Sequence, residues 1–260
     1  MNRIASVFKK DRKALIAYIT AGYPDMAATP QIAAALAESG CDIIELGIPF
    51  SDPLADGATI QHASHIALER GATPTACLEA AARIRQETDI PLVFMTYYNP
   101  VFSFGLDAFC RRCAGAGVDG LIVPDLPPEE GADLEAATRE HDLDLIYLLA
   151  PTSTDERVVA VAERSRGFIY LVSLTGVTGA RPDLPEELEG FVRRVAQKTE
   201  KPLCVGFGIA TPEHARRVAS IADGVIVGSR LIQLIDEDPT LASLRSFVTG
   251  LRRAIDGGPG

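Results

Sequence analysis

Eight apolar, β-rich runs recur along the 260-residue chain, and a helical pattern follows each of them. The runs are ALIAYITAG from 14, CDIIELGIPF from 41, PLVFMTYYN from 91, VDGLIVPDLP from 118, LDLIYLLAP from 143, GFIYLVSLTGVTG from 167, KPLCVGFGI from 201 and ADGVIVGSRL from 222. The helical patterns include QIAAALAESG, TACLEAAARIR, DLEAATRE, DERVVAVAER, EELEGFVRRVAQKT and LASLRSFVTGLRRAI. They typically open at Pro, Asp or Thr and often close at Gly, as helix ends do. Strands apolar on both faces need cover on both sides, and strict alternation with helices demands parallel crossovers. A single-domain (β/α)8 TIM barrel spanning residues 1–260 meets both demands. An open doubly wound sheet is the alternative. It is disfavoured because no G-x-G-x-x-G follows the first run and no composition shift marks a second domain.

In such a barrel the chemistry belongs to the C-terminal ends of the strands and the loops that follow them. The second run continues into ELGIPFSDPLADG, residues 45–57, with a glutamate inside an apolar segment. Period-two alternation puts Ile43, Glu45 and Gly47 on one face and Ile44, Leu46 and Ile48 on the other. The all-apolar face meets the helices, so Glu45 is expected to point into the barrel. Desolvating a carboxylate costs several kcal/mol (about 2–7 even for a neutral polar group), so the residue is either a paired structural carboxylate or a general acid/base with a raised pKa. The following loop supplies Asp52 and Asp56. Asp56 precedes Gly57 at a turn and can serve the backbone there. It can also join Glu45 as the second member of an acid–base pair, if their surroundings push the two pKa values apart.

Glycines crowd the ends of the last three runs: Gly176 and Gly179, Gly206 and Gly208, and Gly228 followed by Ser229. Each alone reads as a tight turn, but at consecutive strand ends they suggest a phosphate site built from backbone N–H groups. Such a site suits a chain with 25 basic and 35 acidic residues, whose formal charge of −10 repels nucleic acid and anionic membranes and leaves an anionic ligand to be held locally. The lysines, at 9, 10, 13, 198 and 201, avoid the strand C-termini, which argues against Schiff-base chemistry. The four histidines form no sequence cluster suited to a catalytic metal, and the C-x-x-C of Cys110 and Cys113 lacks a second ligand pair. Five scattered cysteines, no apolar run of about 18 residues and no leader-like opening suggest a soluble, cytoplasmic protein.

ELGIPFSDPLADGATIQ, VDGLIVPDLPPEE, SLTGVTGAR and VGFGI together resemble the α subunit of tryptophan synthase, in order and through essentially the whole chain. The resemblance implies a lyase of tryptophan biosynthesis that cleaves indole-3-glycerol phosphate to indole and glyceraldehyde 3-phosphate without a cofactor of its own. The indole would pass to a pyridoxal-phosphate β subunit within an α2β2 complex. By the same resemblance Glu45 is the acid/base and Asp56 the carboxylate beside the indole N–H. Tyr170 lies near the reacting carbons, and Thr178 orients Asp56. Gly179, Gly208, Gly228 and Ser229 match phosphate contacts, and Tyr18, Ile122 and Phe207 an apolar indole slot, although ordinary barrel core explains those three nearly as well. Asp52, Pro53, Asn99 and Phe102 fall in loops presented to the β partner. Two positions depart from the family pattern: Tyr18, where phenylalanine is common, and Arg230, where a small residue is usual. Alternatives are a stand-alone lyase releasing free indole, a non-catalytic allosteric barrel, which would be expected to lack Glu45 or Asp56, and a sugar isomerase, which leaves the SDPLADG loop unexplained.

Overall fold

The computed structural model describes residues 3–8, 12–172, 187–206 and 208–257. Its strands are β1 (Ala14–Thr20), β2 (Ile43–Gly47), β3 (Leu92–Met95), β4 (Gly120–Ile122), β5 (Asp144–Ile146), β6 (Leu148–Leu149), β7 (Ile169–Val172), β8 (Leu203–Gly206) and β9 (Gly224–Val227). All pair in parallel in the order β5-β4-β3-β2-β1-β9-β8-β7-β6. The two ends of that order are one residue apart in the chain, so segment 144–149 bonds β4 on one side and β7 on the other. The sheet therefore closes into a barrel, and the open doubly wound alternative is excluded.

The fifth run forms two short strands because the ladder breaks at Tyr147. Its N–H donates to the Ser165 hydroxyl at 3.1 Å, while its phenol donates to Glu135 at 2.8 Å. The carbonyl still accepts from the Tyr170 N–H at 3.1 Å, which keeps the barrel wall continuous. Helices pack outside the strands, and threonine begins three of them. Thr73, Thr154 and Thr211 accept N–H bonds from Ala76, Arg157 and His214 at 3.1, 3.3 and 3.2 Å, each bond satisfying a first-turn donor. No helix among the described residues is long and apolar enough to cross a membrane.

Registered neighbours in a parallel sheet point to the same face, so the pairs Tyr18–Glu45 and Glu45–Val93 place all three side chains in the barrel lumen. Two tyrosines fit there because glycines face them. A Cβ at Gly47 would overlap the Tyr18 hydroxyl, and one at Gly206 would overlap the Tyr170 hydroxyl. Gly206, expected among the phosphate-site glycines, thus makes room for a tyrosine.

The N-terminal end of the barrel is tied by a device used three times. Asp42, Asp119 and Asp223 each donate their N–H to the carbonyl of Leu15, Leu92 or Leu203 at 2.8 Å. Their carboxylates accept the N–H of the same leucine at 2.8, 2.9 and 3.0 Å. Arg252 and Arg85 neutralise the first two at 2.8 and 2.9 Å. These three aspartates are partnered and hold strands together.

Candidate active site

The C-terminal ends of β1, β2, β3, β7, β8 and β9 surround a cleft of about 880 Å³, its open mouth included, within the range of small-ligand pockets. Glu45 stands in its floor, 1% exposed, and among the described residues neither carboxyl oxygen has a hydrogen-bond partner. Burial pushes its pKa from an ordinary 4.5 to about 8, with the nearby charge of Asp56 adding to the effect. Among the described residues nothing pairs it, as the structural carboxylate considered from sequence would require. At neutral pH Glu45 carries a proton it can give away.

Asp56 reaches the same cleft from the loop after β2. Its backbone does form a turn, the N–H donating to the Pro53 carbonyl at 3.3 Å, but its carboxylate is held by the hydroxyl of Tyr97. The same hydroxyl accepts the Ala55 N–H at 2.9 Å, so one buried phenol just beyond β3 fixes the loop and its acid together. Burial raises Asp56 to about 6 and the Tyr97 bond tempers the rise. The two carboxyl groups thus differ in the sense that acid–base work needs, one neutral and one ionised at pH 7. Tyr97 did not emerge from the sequence reading. Its only signal was a position in MTYYNP at the end of a strand adjacent to β2.

Tyr18 and Tyr170 line the cleft beside the pair, and burial holds both phenols well above their ordinary pKa, hence neutral. The far wall contains Gly208, Gly228 and Ser229. Gly208 has φ +78°, a conformation that disfavours any side chain, and its carbonyl packs 3.2 Å from His214 Nδ1. Gly228 caps the helix Ser229–Glu237, whose start is suited to an anion, although the Leu231 N–H already donates to the Gly228 carbonyl at 2.8 Å. The glycines and the carboxylates so line one and the same cleft.

The remaining expectations separate. Ile122 is fully buried in register with Met95, and of the two only Met95 borders the cleft. Asp52 and Asn99 are exposed, Pro53 is half-buried and Phe102 is 63% exposed, on the loop after β2 and the helix Tyr98–Phe104. Beside them Leu54 is 92% exposed, an apolar residue on this rim that the sequence reading passed over. Thr178, Gly179 and Phe207, like Gly176, lie outside the described residues. His62 and His65 sit exposed on the helix Ala58–Glu69, where His65 meets Glu69 at 3.2 Å. Among the described residues one trio of donor groups, Asp107, Glu140 and His141, gathers within 4.8 Å. It lies away from the cleft, and Asp107 there already binds His141 at 2.7 Å and Arg111 at 3.2 Å. All five cysteines are buried free thiols, and burial pushes Cys110 up to about 12.

The family model for the tryptophan synthase alpha chain matches residues 4–252. The chain belongs to the tryptophan synthase α chain family. A tryptophan synthase alpha chain of Dehalococcoides mccartyi is 57% identical over 256 residues, covering 98% of this chain and 100% of its own. That of Geobacter sulfurreducens is 47% identical over 263 residues, covering 98% and 99%. Among solved structures, Mycobacterium tuberculosis tryptophan synthase superposes with a TM-score of 0.92 at 43% identity, covering 98% of each chain. The tryptophan synthase subunit alpha of Legionella pneumophila gives 0.91 at 38% identity, covering 99% of each. As a tryptophan synthase α chain, the barrel is a lyase whose cleft is lined by two carboxyl groups and by glycines suited to an anion.

Proposed function

We propose that this chain cleaves indole-3-glycerol phosphate to indole and glyceraldehyde 3-phosphate by acid–base catalysis, with Glu45 as the proton shuttle and Asp56 as the stabiliser of the cationic ring. The observation that carries the reading is the buried, unpartnered Glu45, raised to about 8, beside an Asp56 raised only to about 6. Breaking the bond between ring and glycerol chain requires a proton on ring carbon C3, which leaves an iminium-like cation. Neutral Glu45 delivers that proton. Ionised Asp56 accepts the ring N–H and offsets the developing charge, in a cleft where water screens little. As the carbon–carbon bond opens, the Glu45 carboxylate takes the proton of the adjacent chain hydroxyl, which becomes the aldehyde. Glu45 ends protonated, as it began. Tyr170 lies near the reacting carbons, Tyr18 lines the indole slot, Thr178 orients Asp56, and the phosphate rests on the wall formed by Gly179, Gly208, Gly228 and Ser229.

The family implies a β partner, and the rim supports a docking surface for one: Leu54 and Phe102 are two of the three large apolar side chains exposed among the described residues. With Asp52, Pro53 and Asn99 they would contact the β subunit of an α2β2 complex in the cytoplasm. The α barrel needs no cofactor for this chemistry, and pyridoxal phosphate belongs to the partner. Because Pro53 and Asp56 share a loop, docking can favour the ordered catalytic arrangement, by as much as the partner prefers it. The test is indole release from indole-3-glycerol phosphate during titration with cognate β subunit. We expect slow turnover by the isolated chain and a saturable rise with partner. A full rate without partner would replace this reading with that of a stand-alone lyase.

A further inference from the structure

Arg230 borders the cleft beside Ser229, in the first turn of the helix Ser229–Glu237, and is the only cationic side chain among the described residues that line it. The other ionisable carboxyl or basic groups there are Glu45 and Asp56, both of which repel an anion when ionised. Arg230 is also held in place. Its Nη1 donates to Glu237 Oε1 at 2.8 Å and to Gln233 Oε1 at 3.2 Å, and its Nη2 donates to Glu237 Oε2 at 3.3 Å. Among the described residues these bonds use three of the five N–H groups of a guanidinium, so two are left for another acceptor. The side chain is 31% exposed, at the mouth rather than in open solvent.

From this geometry we infer that Arg230 is a phosphate-binding residue of the cleft and that Glu237 is its counterweight, positioning the guanidinium while weakening its hold on the anion. The inference rests on the phosphate end of the proposed function. Backbone N–H groups at the helix start supply direction but carry only partial charge, whereas Arg230 supplies a whole charge and a planar fork suited to phosphate oxygens. Glu237 fixes the rotamer, so less side-chain entropy is lost on binding. Its carboxylate, 2.8 Å from Nη1, also offsets part of the guanidinium charge that the anion would meet.

The two members of the pair therefore make opposite predictions. Arg230→Gln should raise the inhibition constant of inorganic phosphate and the KM for indole-3-glycerol phosphate together, by about tenfold, the scale of one charge-assisted hydrogen bond, with kcat nearly unchanged. Arg230→Lys, which keeps charge but loses the fork, should fall between. Glu237→Gln should lower both constants several-fold, since the amide still positions Arg230 without the opposing charge. A purely structural pair would give weaker binding for both substitutions. The inference is overturned if Arg230→Gln leaves both constants within about twofold, or if Glu237→Gln weakens phosphate binding as Arg230→Gln does. Gly208→Val separates this failure from that of the site. If it weakens phosphate binding while Arg230→Gln does not, only the arginine assignment falls. If neither substitution changes it, the phosphate end of the cleft is itself misplaced and the inference falls with it.

Discussion

A carboxyl group sealed in the barrel lumen without a partner ties the stability of the fold to pH. The folded pKa of Glu45, about 8, lies above its ordinary value of 4.5, so the fold favours the protonated form. Its contribution is fully present below about pH 4.5 and is lost progressively as pH rises through about 8, amounting to a few kcal/mol at about 1.4 kcal/mol per pH unit. Glu45→Gln should therefore stabilise the barrel relative to wild type at pH 9 and do little at pH 4.5, read from denaturant midpoints at the two pH values. An equal effect at both would show that Glu45 does not titrate as described. At the neighbouring position, Asp56→Asn should lower kcat more than it changes KM, because the charge matters most once the ring is cationic. An effect confined to KM would make Asp56 a docking group. Glu45 was legible in the sequence because a carboxylate interrupted a period-two apolar pattern. Tyr97 was not, because its role depends on the fold bringing the end of β3 against the loop after β2.

The strands were legible from the repetition of apolar runs, since each must be covered on both faces. The break at Tyr147 was not, because it depends on Ser165, 18 residues further on, intercepting the backbone N–H. The aspartates that tie the N-terminal end have a sequence trace, CD, VD and AD at strand starts, but their function as clamps for the preceding strand appears only with the register. Glycine roles were the least legible. Gly206 stood among phosphate-site candidates, and its actual neighbour is the Tyr170 ring on the adjacent strand β7. Gly206→Ala should destabilise the barrel by about 1–3 kcal/mol, the usual range for overpacking. Tyr170→Phe in the same chain should restore only part of that, because ring carbons as well as the hydroxyl stand in the way. A double-mutant cycle of denaturation midpoints measures the coupling, and strict additivity would contradict the assigned contact.

The whole molecule divides along the barrel axis. Among the described residues its N-terminal end holds carboxylates paired with arginines and backbone, whereas its C-terminal end holds Glu45 unpaired, Asp56 bonded to the Tyr97 phenol, and the exposed Leu54 and Phe102 on the rim. Stability is concentrated at one end and reactivity at the other, as parallel barrels allow. At the scale of the complete cleft, the two carboxyl groups should set the pH range of catalysis: Asp56 must be ionised and Glu45 protonated when substrate arrives. The most direct test is the pH dependence of kcat/KM for indole release, measured for wild type and Glu45→Gln. The wild-type profile should be bell-shaped with limbs near about 6 and 8, and Glu45→Gln should lose about 10² to 10⁴-fold at the optimum together with the upper limb. A Glu45→Gln variant that keeps most of the wild-type rate, or an unchanged upper limb in that variant, would contradict the assignment of Glu45 as the proton shuttle.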